Sequence, residues 1–216
     1  MHVDHLIHAA GPAGLAAEAQ RLAGALGAGW TPGGEHPSWG TRNAVIPLAG
    51  LTYLEVVEVA DPAVAAGTAF GSAVAARCDG GGGWLGWVVA VDDVDAVAAG
   101  SGQVVAAGTR RRPDGSRLHW RTLGVEVLRT DPDLPFLITW DVPAALHPSA
   151  GAGPVPRLSR VEVAGDVARL AGRLGGDPQQ ALDGVRVEVR PPEPGTVPGL
   201  RAASFDTAAG RVRVPS

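Results

Sequence analysis

Three stretches of this 216-residue chain are built alike, and that repetition limits what it can fold into more than any single motif does. HVDHLIHAAG (residues 2–11) leads into an Ala/Leu segment ending QRLAGALG at Gly27. WLGWVVAVDD, from Trp84, leads into VDAVAAGSG, and RLSRVEVAGD, from Arg157, leads into VARLAGRLGG. Each reads as a short strand, a Gly or Asp break and an amphipathic helix closed by glycine. Alternating strand-like runs follow each helix, such as TRNAVIPL with LTYLEVVEV and GSRLHWRTLGVEVL with LPFLITWDV. The pattern predicts an α+β protein of tandem βαβββ modules, two full units and a shorter third. The expected boundaries are 1–60 for the first module, 61–82 for a connecting helix and Gly-rich joint, 83–148 for the second module, and 149–216 for the partial third.

Composition narrows the function classes. A net charge of −4 argues against a partner held by phosphate neutralisation. No stretch approaches the ~18 apolar residues of a membrane span, and no basic leader precedes an apolar run. The single cysteine, Cys78, allows no intrachain disulfide, which suits a reducing compartment. These features predict a soluble, cytoplasmic protein, monomer or homodimer, whose partner is a small molecule and neither nucleic acid nor membrane. All 18 basic residues are arginine, which with the Ala and Gly excess reads as coding bias, so arginine counts carry no argument.

His2, His5 and His8 recur every third position, a period that fits neither a helix face nor a strand face. On a strand only His5, or else His2 with His8, can face one site. The repeat register pairs His5 with Trp87 at an offset of 82, and YLEVVEV from Tyr53 with FLITWDV from Phe136 at an offset of 83. If His5 faces the concave side, Tyr53 and Glu55 join it there. Trp87, Phe136, Ile138 and Trp140 then form an apolar wall opposite, giving a largely apolar pocket with a few placed polar groups. In RLHWR, alternation puts Arg117, His119 and Arg121 on one face, either a solvated surface or an anion site. Arg42, His36 and Trp39 lie on a loop entering a strand, where binding residues concentrate. Glu55 is the only carboxylate this register places inside, which makes it a candidate general base.

DH on the first strand and YLE on the last, repeated in tandem, resemble the vicinal oxygen chelate superfamily, which includes glyoxalase, extradiol dioxygenases and bleomycin-resistance proteins. HPSWGTRN followed by YLEVV, and RRRPDGSRLHWR followed by LPFLITWD, resemble more narrowly its glyoxalase-like domain branch, over roughly residues 1–148. The resemblance implies metal ligands from the first and last strands of a module, here His5 and Glu55, which suit Zn, Mn, Ni or Fe. The matching positions of the second module, Trp87 and Ile138, cannot ligate, so a third ligand would come from His36 or His119. Without a metal, His5 and Glu55 would bond each other or a substrate. Two functions follow: a glyoxalase-type lyase or isomerase acting on a small anionic or oxygenated molecule, or a non-catalytic, drug-sequestering protein with a degenerate metal site.

Overall fold

The computed structural model describes residues 1–99 and 102–216. The first module comprises β1 (His2–Ala9), α1 (Leu15–Leu26), β2 (Thr31–His36), β3 (Thr41–Leu48) and β4 (Thr52–Val59). In α1, Ala19, Leu22, Ala23 and Leu26 form one buried stripe at helical spacing. The helix stops at Gly27, whose left-handed φ of 64° glycine adopts without strain. Its first N–H, on Leu15, donates to the Glu58 carboxylate of β4 at 2.9 Å, so strand and helix are tied at the end where α1 begins.

Two helices, α2 (Pro62–Ala66) and α3 (Ala69–Asp79), connect to the second module. That module contains β5 (Gly83–Ala90), α4 (Val94–Ala98), β6 (Val105–Arg111), β7 (Arg117–Leu123), α5 (Val127–Thr130) and β8 (Phe136–Trp140). The eight strands close into a barrel in the order β1-β4-β3-β2-β6-β7-β8-β5. The first and last strands of each module run parallel, which requires a crossover between them. At one junction β1 and β5 pair along most of their length, whereas β2 and β6 meet through the single pair Glu35↔Arg111. Side chains alternate across the barrel wall. Val57, Val88, Trp120, Phe136 and Ile138 pack together inside, joined by Phe70, Ala73 and Val74 of α3. An eight-stranded barrel has an interior just wide enough for side chains or one small ligand.

The remaining chain forms β9 (Arg157–Ala164), α6 (Val167–Leu174), α7 (Pro178–Ala181), β10 (Arg186–Arg190), β11 (Gly199–Thr207) and β12 (Gly210–Pro215). Its sheet runs β10-β9-β11-β12, with β10 parallel to β9 on one side and β11 antiparallel on the other. The pairing differs from that of the two barrel modules, in which the parallel neighbour of the first strand is the last strand. Leu158, Val161 and Phe205 share one core with Trp84, Trp87 and Val89 of β5, and Trp84 Nε1 donates to the Val214 carbonyl at 3.2 Å. No helix among the described residues is long and apolar enough to cross a membrane.

The register corrects the sequence alignment by one residue. His5 pairs with Tyr53, and Val88 pairs with Phe136. His5 to Val88 and Tyr53 to Phe136 are both separations of 83, so Val88, not Trp87, is the counterpart of His5. Between Ile7 and His8 the β5 partner jumps from Gly86 to Trp84, a bulge that sends Trp84 and Trp87 to the same side. Trp87 is 0% exposed in the outer core and donates Nε1–H to the Asp133 carbonyl at 3.2 Å. A one-residue slip exchanges the two faces of a strand, which is why Trp87 is absent from the interior wall.

Candidate active site

The polar groups of the barrel interior converge on Glu55, which is 3% exposed. Asn43, on the inner face of β3, donates Nδ2–H to Oε1 at 2.5 Å. His5 Nε2 lies 3.9 Å from Oε2, and His36 Nε2 lies 3.9 Å from Oε1. The His5 ring stacks on Tyr53 with centroids 4.5 Å apart and meets the edge of Phe136. His36 bonds Thr41 Oγ1 through Nδ1 at 2.9 Å and sits among the rings of Trp39, Phe70 and Trp120. Burial, then the charges of Arg110 and His5, hold its pKa well below the ordinary histidine value, so His36 is neutral at pH 7. Burial, reinforced by Asp4 and Glu55, pushes the Tyr53 phenol well above its usual value and keeps it protonated. The space among these groups is about 20 Å³, room for one water.

A second carboxylate lies beside the first. The partner register of β1 on β5 skips Asp4, and this bulge leaves Asp4 and His5, adjacent in sequence, buried and bonded to each other. Asp4 accepts from His5 Nδ1 at 2.6 Å, Trp140 Nε1 at 2.8 Å and His147 Nε2 at 3.2 Å. Burial alone would raise its pKa, but the hydrogen bonds and charges of His147 and His5 hold it well below the carboxylate range. The Ser149 N–H donates to His147 Nδ1 at 3.2 Å, which leaves the proton of that ring on Nε2, facing Asp4. An ionised Asp4 can only accept, so His5 carries a proton on Nδ1, and in the neutral ring Nε2 is an acceptor. With that ring neutral, His5 Nε2 and Glu55 Oε2 are both acceptors, 3.9 Å apart, and a hydroxyl or water can donate to either.

The structure brings Tyr53, Ile138, Trp140, His36 and Trp39 to this interior together with His5 and Glu55. Others singled out in the sequence lie elsewhere. Trp87 belongs to the outer core. Arg42 is on the outer face of β3, paired with Glu58 at 2.7 Å, in a groove of about 730 Å³ bordered by the start of α1 and by β2 and β3. That groove is the larger cavity; its cations Arg42 and Arg111 pair with Glu58 and Glu35, and Arg112 donates to the Leu146 carbonyl. Arg117 and His119 are exposed, and Arg121 pairs with Asp93, Asp95 and Asp141 outside the barrel. Alternation gives the inner positions of β7 to Leu118 and Trp120, so the Arg117–Arg121 face is solvated and His119 cannot supply a third ligand to the interior.

Four polar residues of the site escaped sequence reasoning, as did the lining rings of Phe70 and Trp120. Asn43 had a signal, since it shares a face with Val45, the partner of Glu55 across β3 and β4. Arg110 was hidden in a run of three arginines whose phase was undetermined. Asp4 was concealed by the bulge, and His147 reaches the site from an irregular segment after β8.

The donor set bears on the metal that the family resemblance implies. Tetrahedral donors about 2.1 Å from a metal stand roughly 3.4 Å apart. Here both imidazoles are 3.9 Å from the carboxylate, whose Oε1 is already taken by Asn43. Val88 and Ile138, the second-module counterparts, have no ligating atom. Among the described residues no cluster of three or more His, Cys, Asp or Glu is arranged to hold a metal ion. As placed, the residues do not fit one, and no step below is routed through a metal.

A closed barrel of paired βαβββ modules with a buried His/Glu centre defines the chain as a glyoxalase-type fold. It belongs to the glyoxalase-like domain family, whose profile matches residues 3–175. A search of curated proteins finds no match. Among solved structures, a hypothetical protein from Staphylococcus aureus shares the fold, with 14% identity and a TM-score of 0.59 over 99% of this chain and 85% of that one. Methylmalonyl-CoA epimerase from Mycobacterium tuberculosis matches at 14% identity and a TM-score of 0.46, over 64% of this chain and 86% of its own. The Streptomyces coelicolor methylmalonyl-CoA epimerase, in complex with 2-nitronate-propionyl-CoA, matches at 20% identity and a TM-score of 0.46, over 66% and 99%.

Proposed function

We propose that the barrel interior is a proton-transfer site for a small oxygenated molecule, with Glu55 as general base, in an isomerase- or lyase-type reaction. One observation carries this reading: a buried carboxylate is steadied at Oε1 by Asn43 while Oε2 faces a gap across from His5 Nε2. A substrate hydroxyl or hydrated carbonyl placed in that gap satisfies an acceptor that the chain leaves without a donor. Glu55 Oε2 takes the proton from the carbon next to the carbonyl, and the electron pair of that C–H bond passes to the carbonyl oxygen as an enolate. Tyr53, kept protonated beside His5, is a donor suited to that oxygen. Return of the proton to that carbon restores the carbonyl, and return to its opposite face inverts the carbon and completes an isomerisation.

The aromatic lining of Trp39, Phe70, Trp120, Phe136 and Trp140 favours a second reading, non-catalytic sequestration. The convergence of Asn43 and His5 on the Glu55 carboxylate makes proton transfer the better supported of the two. Hydrogen–deuterium exchange of hydroxyacetone in D2O, followed by NMR, tests it. The protein should accelerate exchange at the carbons beside the carbonyl, and Glu55→Gln should slow it by about a hundredfold or more with an unchanged thermal midpoint. Equal exchange by both proteins, or none by the unaltered one, defeats the reading.

A further inference from the structure

Arg110 enters the interior from β6, and the chemistry above leaves it unused. Its side chain is 3% exposed and lines the same space as Glu55 and His5. Its Nε has no hydrogen-bond partner, and among the described residues no carboxylate lies within salt-bridge distance of its guanidinium. Glu55 and Asp4 act on this cation only through space, beyond ion-pair distance, and arginine cannot escape burial by losing its proton. Its hydrogen-bonding capacity is left to something that binds. On the same side of the barrel, Asn43 Oδ1 is also buried and unpartnered.

Access supplies an independent observation. Arg110 also borders a vestibule of about 420 Å³ lined by Pro32, Gly33, Val45, Arg112, Pro113 and His147. It lies over the seam between β2 and β6, where only Glu35↔Arg111 pairs. The other charged groups of the vestibule are engaged: Arg112 donates to the Leu146 carbonyl at 2.5 Å, and the Asp114 carboxylate accepts from Ser116. Arg110 thus stands between the outside and the reacting groups, bordering both.

We infer that Arg110 is the anchor for the carboxylate of a small 2-oxo or 2-hydroxy acid, whose oxygenated carbon reaches His5 and Glu55. The planar fork of a guanidinium matches a carboxylate through two parallel hydrogen bonds. Arg110 and Glu55 line the same interior space, so the charged group and the oxygenated carbon of the ligand are adjacent, with the carboxylate on the side of the vestibule that Arg110 also borders. Glu55 and Asp4 already place negative charge near this single guanidinium, which favours a monoanionic carboxylate over a phosphate dianion. This inference rests on the interior being the reacting site, and it names the substrate class for that site.

Calorimetric titration of the full chain with pyruvate, pyruvamide and inorganic phosphate tests it. Pyruvate should bind tighter than pyruvamide by roughly tenfold to a hundredfold, and more tightly than phosphate. Arg110→Met should remove the preference for the charged probe, and Arg110→Lys should restore part of it. Equal binding of pyruvate and its amide, tighter binding of phosphate, or no pyruvate binding up to tens of millimolar overturns the inference without requiring any variant to fold. The Glu55→Gln protein separates the two readings. It should still prefer pyruvate, because removing the base leaves the anchor in place. Hydroxyacetone exchange that persists in Glu55→Gln would sink the base assignment alone, whereas lost charge preference with intact exchange would sink the anchor alone.

Discussion

Replacing Asp4 with asparagine probes the hydrogen bonds that set the proton on His5. The carboxylate accepts three buried N–H groups, from His5, Trp140 and His147. An amide of the same shape keeps one oxygen and turns its NH2 toward donors, so at least one donor loses its partner. Hydrogen bonds to a charged group contribute about 1.5–3 kcal/mol each, and all three together would rival the roughly 5–15 kcal/mol stability of a whole domain. The remaining oxygen retains one or two of them, so Asp4→Asn should cost about 3–5 kcal/mol, the range for removing one partner from a buried charge network. The pH dependence has a definite sign. The folded-state pKa of Asp4 lies below the unfolded value of about 3.9, so its contribution is complete above that pH and is lost as pH falls towards the folded value. Urea unfolding followed by tryptophan fluorescence, at pH 7 and near pH 3, measures both effects. The unaltered protein should lose more stability on acidification than the variant. A cost below about 1 kcal/mol at pH 7, with the same acid sensitivity in both proteins, would refute the assignment of Asp4 as the buried acceptor of three donors.

His8 offers a pH effect in a different window. Burial takes its pKa down to about 4, so the neutral ring contributes fully above the unfolded value near 6.5 and its contribution is lost as pH falls from there to about 4. The loss is about 3 kcal/mol at 1.36 kcal/mol per pKa unit, and His8→Gln should flatten that part of the stability profile; an unchanged profile would place the effect elsewhere. A Cβ on Gly33 would overlap Asn43 Oδ1 and crowd Val45, so Gly33→Ala should destabilise by about 1–3 kcal/mol and slow hydroxyacetone exchange by displacing Asn43 from Glu55. An alanine variant as stable and active as its parent would contradict that packing. Adding Zn, Mn, Ni or Fe(II) to metal-free protein should leave its thermal midpoint unmoved, because the donor set does not fit a metal; a one-to-one, His5-dependent rise would show that the imidazoles and Glu55 close around an ion.

The sequence carried the glyoxalase-like α+β class and the recurring strand–helix pattern, because hydrophobic periodicity and helix-closing glycines are local signals. It also carried His5, Tyr53, Glu55, Phe136 and Ile138 as one facing set, since β1, β4 and β8 keep their alternation across those positions. What it could not carry was anything that depends on a single-residue shift. The bulges at Asp4 and opposite Ile7 exchange inside for outside, admitting Asp4 to the interior and sending Trp87 to the outer core. Which side of β7 faces solvent was equally undetermined, because Leu118/Trp120 and Arg117/Arg121 alternate either way and only barrel closure decides which pair is enclosed. The C-terminal strands share the element order of the modules but pair in a different order, a choice made by packing against Trp84 and Trp87. Arg110 and His147 became interior residues only when β6 and the segment after β8 were brought against the mouth of the barrel. Periodicity is a property of the chain; phase, closure and the pairing of distant charges belong to the folded molecule.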